Sequence, residues 1–170
     1  MQRRRFLICL TSLPFSIGLP KMTRAKSAGT IFRISWRDID VGYSSLNLIR
    51  NGTNLVAKID VKIDVTILGL NLFSYSLKCK EIWIKKQLKS LKSEVRIGNR
   101  FEYSNAYRTS DGLKINGSSF TGEIKGNPAT TSYFTPDFLN RDVWISTQNG
   151  TPLNVQSQKL GIEEIYTPKG

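Results

Sequence analysis

Between residues 55 and 67 every odd position is apolar: Leu55, Ala57, Ile59, Val61, Ile63, Val65 and Ile67. The even positions between them include Lys58, Asp60, Lys62, Asp64 and Thr66. Successive side chains of an extended strand project to opposite faces, so this stretch builds one dry face and one charged face. On a helix the same residues would scatter around the whole circumference. The alternation therefore commits the chain to a β architecture, and the rest of the sequence repeats it. Residues 30–36, with Phe32, Ile34 and Trp36, and residues 43–50, 73–84, 88–97 and 101–107 read as further strands. Shorter ones are expected at 113–115, 120–124, 143–146 and 153–158. Gly42, Asn51-Gly52, Gly69, Lys85-Lys86-Gln87, Gly98-Asn99, Asp111-Gly112 and Asn149-Gly150 supply breaks and turns between them. Asp137, after Pro136, is placed to cap one helical turn over 137–140. About eight to ten short strands separated by turns predict an all-β fold, a single antiparallel sheet curled into a barrel or half-barrel. A charged strand face is unsuited to the greasy exterior of a membrane barrel.

The N-terminus has a different character. Residues 1–28 carry Arg3, Arg4, Arg5, Lys21, Arg24 and Lys26 but no acid, and an apolar run fills 6–19. Pro14 and Gly18 interrupt that run, which is also shorter than the ~20 residues of a membrane helix. No stable membrane span is expected. The head Arg3-Arg4-Arg5-Phe6-Leu7 resembles the Arg-Arg-x-Phe-Leu core of twin-arginine export signals, in which Arg3, Arg4, Phe6 and Leu7 would be the read residues. The organisation expected is a helical signal peptide over 1–28 and one β-barrel-like domain over 29–170. Ala25 and Ser27 present small residues for cleavage between Ser27 and Ala28. The partners this implies are the twin-arginine translocase and signal peptidase, and the compartment is periplasmic or secreted. Without the six basic residues of the leader the formal charge falls from +12 to +6, so half of the basicity belongs to the leader.

The chemistry the chain lacks is informative. With no histidine there is no Ser-His-Asp or Cys-His arrangement and no His-ligated metal. Cys9 lies in the leader, so Cys79 is the lone thiol of the remainder, expected to be buried and inert. Neither a metal site, a cofactor motif nor a nucleic-acid motif is present, and no catalytic residue is assigned. Lys78, Lys80, Lys85, Lys86, Lys89 and Lys92, interrupted by Glu81 and Glu94, read as a solvated edge or hairpin, with a patch for anionic lipid or polyanion as the sharper alternative. Asp60 and Asp64 are expected in solvated pairs with neighbouring lysines.

Glu81 shares parity with Phe73, Tyr75, Leu77, Cys79 and Trp83, so plain alternation turns it inward. A carboxylate there is costly unless paired. It would be a polar anchor in a cavity or a general acid/base; otherwise a bulge turns it outward, or Arg96 or Arg108 neutralises it. Trp36, Tyr75, Trp83, Tyr103 and Tyr107 also fall on apolar-parity positions. They are expected in the core or, if the sheet curls around space, lining a ligand cavity together with Glu81.

Glu81-Ile82-Trp83, followed by Leu88, Leu91, Ser93 and Gly98, resembles the "E-x-W-x-x-x-x-L-x-x-L-x-S…G" stretch of an uncharacterised family of exported bacterial proteins that carry a domain of unknown function, often behind a twin-arginine leader. Thr131-Ser132-Tyr133-Phe134-Thr135-Pro136, Ser146-Thr147-Gln148-Asn149-Gly150 and Gly161-Ile162-Glu163 resemble the same family's ending. Phe134 stands where tryptophan is more usual, and Lys85-Lys86-Gln87 replaces a glycine-containing turn. The resemblance implies an all-β, barrel-like periplasmic protein and brings no activity, cofactor or catalytic residue. A looser similarity, at the level of fold alone, is to the half-barrels that carry lipids across the periplasm.

Three functions are therefore expected in competition. The first is a non-catalytic module binding an apolar or amphipathic small molecule or an envelope partner. The second is a barrel-mouth lyase, isomerase or hydrolase using Glu81 with Tyr75 or Tyr103. The third is a structural envelope protein without ligand. An aromatic-lined cavity favours the first, a buried Glu81 beside a tyrosine hydroxyl the second, and a filled interior the third.

Overall fold

Eight strands follow one another in chain order and pair antiparallel with their neighbours: β1 (Lys26–Trp36), β2 (Ile39–Asn51), β3 (Asn54–Ile67), β4 (Leu70–Ile84), β5 (Gln87–Ile97), β6 (Arg100–Arg108), β7 (Gly112–Gly117) and β8 (Thr121–Lys125). This computed structural model describes residues 26–134 and 136–158. The expected leader lies outside them except for 26–28, which begin β1. Arg3, Arg4, Phe6 and Leu7 are all outside.

The antiparallel all-β expectation holds. The sheet does not close: β1 and β8 are its two edges among the described residues. It is also not alone. Three further strands, β9 (Ala129–Thr130), β10 (Val143–Ile145) and β11 (Pro152–Asn154), form a second sheet in the order β11-β10-β9. β9 and β10 run parallel, which needs a crossover, and a 3₁₀ turn over Pro136–Asn140 lies in it. The two-residue β9 has no alternation to reveal it.

The inner face of the large sheet follows from register. β3 presents its odd residues, opposite Leu46 and Leu48 of β2 and opposite Leu77, Cys79 and Glu81 of β4. Leu91 and Val95 of β5, Ala106 of β6, and Leu113 and Ile115 of β7 continue the face. The C-terminal segment packs on its β4–β7 part. Ile145 is fully buried there with Leu88, Leu113 and Ile115, and a side chain of this size contributes about 1.5–3 kcal/mol when removed from water. Ser119 N–H donates to the Asn149 carbonyl at 3.1 Å, and the Gln148 amide donates to Glu102 at 2.6 Å. Among the described residues no such cover lies over the inner face of β1, where Phe32, in register with Ser44 and Val61, is exposed.

Two-residue loops make five of the hairpins. Gly52-Thr53 joins β2 to β3, so that turn sits one residue later than Asn51-Gly52. Lys85-Lys86 joins β4 to β5 with both residues left-handed, at φ 49° and 63°. These two turns lie side by side at one end of the sheet, where Lys85 N–H donates to the Thr53 carbonyl at 3.1 Å.

Candidate functional site

Glu81 is fully buried on the inner face. Its Oε2 accepts from the Trp83 indole N–H at 2.7 Å and from the Thr130 hydroxyl at 3.2 Å, while the Cys79 thiol lies 3.8 Å from Oε1. Burial raises its pKa, and the donors around it, Trp83, Ser132, Thr130 and Cys79, only partly oppose that rise. Glu81 has therefore kept its inward parity. Neither Arg96 nor Arg108 neutralises it: Arg108 instead holds the Leu88 and Gly126 carbonyls and the Asn127 side chain. The cost of burying the carboxyl is offset by hydrogen bonds.

Trp83 carries the arrangement outward. With its N–H fixed by Glu81, its ring meets Phe134 edge-on at 6.1 Å between centroids. The two rings border a cleft of about 680 Å³ between the β2–β3 and β4–β5 turns on one side and residues 129–141 on the other. Leu48 and Leu55 come from the sheet, Tyr133 and Phe138 from the C-terminal segment. Tyr133, Phe138 and Trp144 pack as a mutual edge-to-face triangle at 5.2–5.4 Å. The Trp144 indole N–H donates to the Phe138 and Arg141 carbonyls at 3.0 and 3.1 Å, which pins the 3₁₀ turn against the cleft. Glu81 does not line the cleft; it lies behind the wall made by Trp83 and Thr130.

The expected site residues are only partly brought together. Tyr75 shares the inner face with Glu81 but stands six residues along β4, which is ~20 Å at the strand rise. Burial raises its pKa. Tyr103 and Tyr107 point to the outer face, paired with Glu94 and Ser90, and the Tyr103 hydroxyl donates to Asn116 at 3.4 Å. Tyr43, opposite Lys62, and Phe101, opposite Arg96, also face outward. Trp36 sits at the β1–β2 turn, the opposite end of β2 from Leu48 and Arg50, with Arg37 over its ring at 4.9 Å. Among the described residues neither Tyr75 nor Tyr103 pairs with Glu81, so the Glu81–tyrosine arrangement of the enzyme reading is not assembled there. The lysine cluster is split: Lys78, Lys80 and Lys92 line the outer face with Glu94, while Lys85 and Lys86 border the cleft. Cys79 is buried, and burial pushes its thiol well above the ordinary range.

Thr130, Ser132, Tyr133, Phe134, Phe138 and Arg141 escaped the alternation argument because they lie outside the long strands. The signal that marks three of them, Ser132, Tyr133 and Phe134, is the Thr131–Pro136 run, read only as a family motif.

The sequence profile of a family described as Domain of unknown function (DUF6134) matches residues 32–170. The chain belongs to this family. The match covers every cleft residue named here and leaves the N-terminal 31 residues outside it. Neither a curated protein nor a solved structure matches the chain. No helix among the described residues is long and apolar enough to cross a membrane.

Proposed function

We propose that the chain is an exported, non-catalytic binding module that holds an apolar or amphipathic small molecule in the cleft bordered by Trp83 and Phe134. The observation that carries this reading is the cleft itself. It falls within the ~300–1,000 Å³ range of small-molecule sites, and Leu48, Leu55, Trp83, Tyr133, Phe134 and Phe138 give it an apolar lining beside charged and hydroxyl side chains. Its wall is also specified: Glu81 fixes Trp83 from behind, and Trp144 fixes the turn that bears Phe138.

The test is titration with the neutral dye N-phenylnaphthylamine, alongside native mass spectrometry of protein purified from cells. Saturable binding of one dye per chain is expected, lost in Leu48→Trp, where a bulkier side chain enters the cleft. Dye binding that never saturates, together with a bare polypeptide mass, would remove the proposal.

Export rests on the leader's sequence. Replacing both Arg3 and Arg4 by lysine is expected to hold the chain in the cytoplasm, and unchanged delivery of that variant across the inner membrane rules out the twin-arginine route.

A further inference from the structure

The mouth of the cleft carries a charge pattern that an apolar ligand alone does not require. Arg50, Lys85, Lys86 and Arg141 border it, against one carboxylate, Asp137. Asp137 is occupied: it lies 3.3 Å from Arg141 Nη2 and 3.8 Å from Lys86 Nζ. Arg141 is further engaged with the Asn127 and Lys86 carbonyls at 3.3 and 3.4 Å. Arg50 and Lys85 are exposed and make no ion pair among the described residues.

The backbone adds a second observation. Lys85 and Lys86 occupy a two-residue hairpin loop with both φ values positive, positions where Asn-Gly is favoured and lysine is strained. Tyr133, on the facing wall, is left-handed too, at φ 54°. Arg37-Asp38 and Leu68-Gly69 adopt the same left-handed conformation in other hairpin loops of the sheet, so it belongs to the hairpins and is not itself a mark of a ligand site. Here it sets two cations beside an aromatic wall. A cation next to low-dielectric surface attracts an anion more strongly than one in open solvent.

Resting on the reading of the cleft as a binding site, we propose that its occupant is an anionic amphiphile. The apolar chain lies against Trp83 and Phe134, and the carboxylate or phosphate group is held by Arg50 and Lys85 at the mouth.

Displacement of N-phenylnaphthylamine below micellar concentrations tests this with ligands that share a chain and differ in head group. Laurate and dodecyl phosphate are expected to displace the dye at concentrations at least about tenfold lower than monolaurin, the neutral ester, or dodecyltrimethylammonium. Inorganic phosphate alone is expected to displace nothing. In the double variant Arg50→Gln, Lys85→Gln the ratio of anionic to neutral competition should fall to about one, whatever the dye's own affinity for the variant. If the neutral and anionic amphiphiles compete equally, the anion assignment falls and the cleft remains a binding site. If inorganic phosphate competes as well as dodecyl phosphate, the amphiphile class is wrong. If the dye itself fails to bind, the cleft reading falls first.

Discussion

Glu81 joins the packing of the inner face to the wall of the cleft, and its protonation is written into the stability of the fold. The folded chain raises its pKa from the ordinary 4.5 by burial, so the folded state keeps the proton at pH values where the unfolded state has lost it. The stability that Glu81 contributes is then fully present below the unfolded value. It is lost as pH rises through the folded value, because folding must take up a proton across that window. Glu81→Gln keeps the shape and removes the titration. Urea midpoints of the two proteins are therefore expected to diverge in favour of Gln as pH rises above the ordinary carboxyl value of 4.5. A difference that does not change with pH would show that Glu81 ionises as freely in the folded chain as in the unfolded one. Glu81→Ala has another consequence: the Trp83 N–H and the Thr130 hydroxyl lose their common acceptor and a void opens, at a cost of about 2–4 kcal/mol. The inward position of this residue was legible, because alternation along β4 is unbroken from Phe73 to Trp83. Its partners were not. They come from the next inward position of the same strand and from Thr130, 49 residues away.

Register between strands explains both what the alternation revealed and where it misled. Across a two-residue loop, facing residues have numbers that sum to an odd value, so the inward parity flips from one strand to the next; a single bulge restores it. The bulge between Val65 and Thr66 keeps β3 and β4 both odd-inward, and the one between Ile82 and Trp83 does the same for β4 and β5. The β5–β6 hairpin around Gly98-Asn99 has no bulge, so β6 turns Glu102, Ser104 and Ala106 inward. Tyr103 and Tyr107 go outward although their own strand alternates cleanly. Small residues matter at the same scale. Cys79, Ser93, Ser104 and Gly117 face one another across four strands, and the Asn149-Gly150 turn lies on Gly117. A Cβ at Gly117 would overlap the Asn149 carbonyl oxygen. Gly117→Ala is expected to cost about 1–3 kcal/mol, read as a lower midpoint in denaturant. The Lys85-Lys86 loop gives the opposite case. Each L residue in the left-handed region costs about 1 kcal/mol or more, so Lys85→Asn with Lys86→Gly is expected to stabilise the hairpin by about 1–2 kcal/mol in the same measurement. An unchanged midpoint would mean that the strain is relieved elsewhere.

Across the whole molecule the cover on the inner face is uneven, and that sets which part opens first. β5, β6 and β7 bury alternate residues under the C-terminal segment, whereas every residue of β1 but Ile34 is exposed. β1 is also an edge, paired only with β2. The cleft straddles the boundary between these regimes: Leu48 and Arg50 come from the thinly covered side, Trp83 and residues 129–141 from the packed side. No single stretch of sequence contains it, which is why periodicity along individual strands predicted the sheet but not the site. Amide exchange follows local opening, and an opening that exposes little apolar area costs little free energy. Amides of β1 and of its partner β2 are therefore expected to exchange orders of magnitude faster than those of β5–β7. A ligand seated in the cleft should slow β2 near Leu48 more than it slows β6, since it bridges the weak side to the strong one. Uniform protection from β1 to β7 in the isolated chain would mean that the apolar side chains of β1 and β2 are covered by a second copy. The gradient should then emerge on dilution.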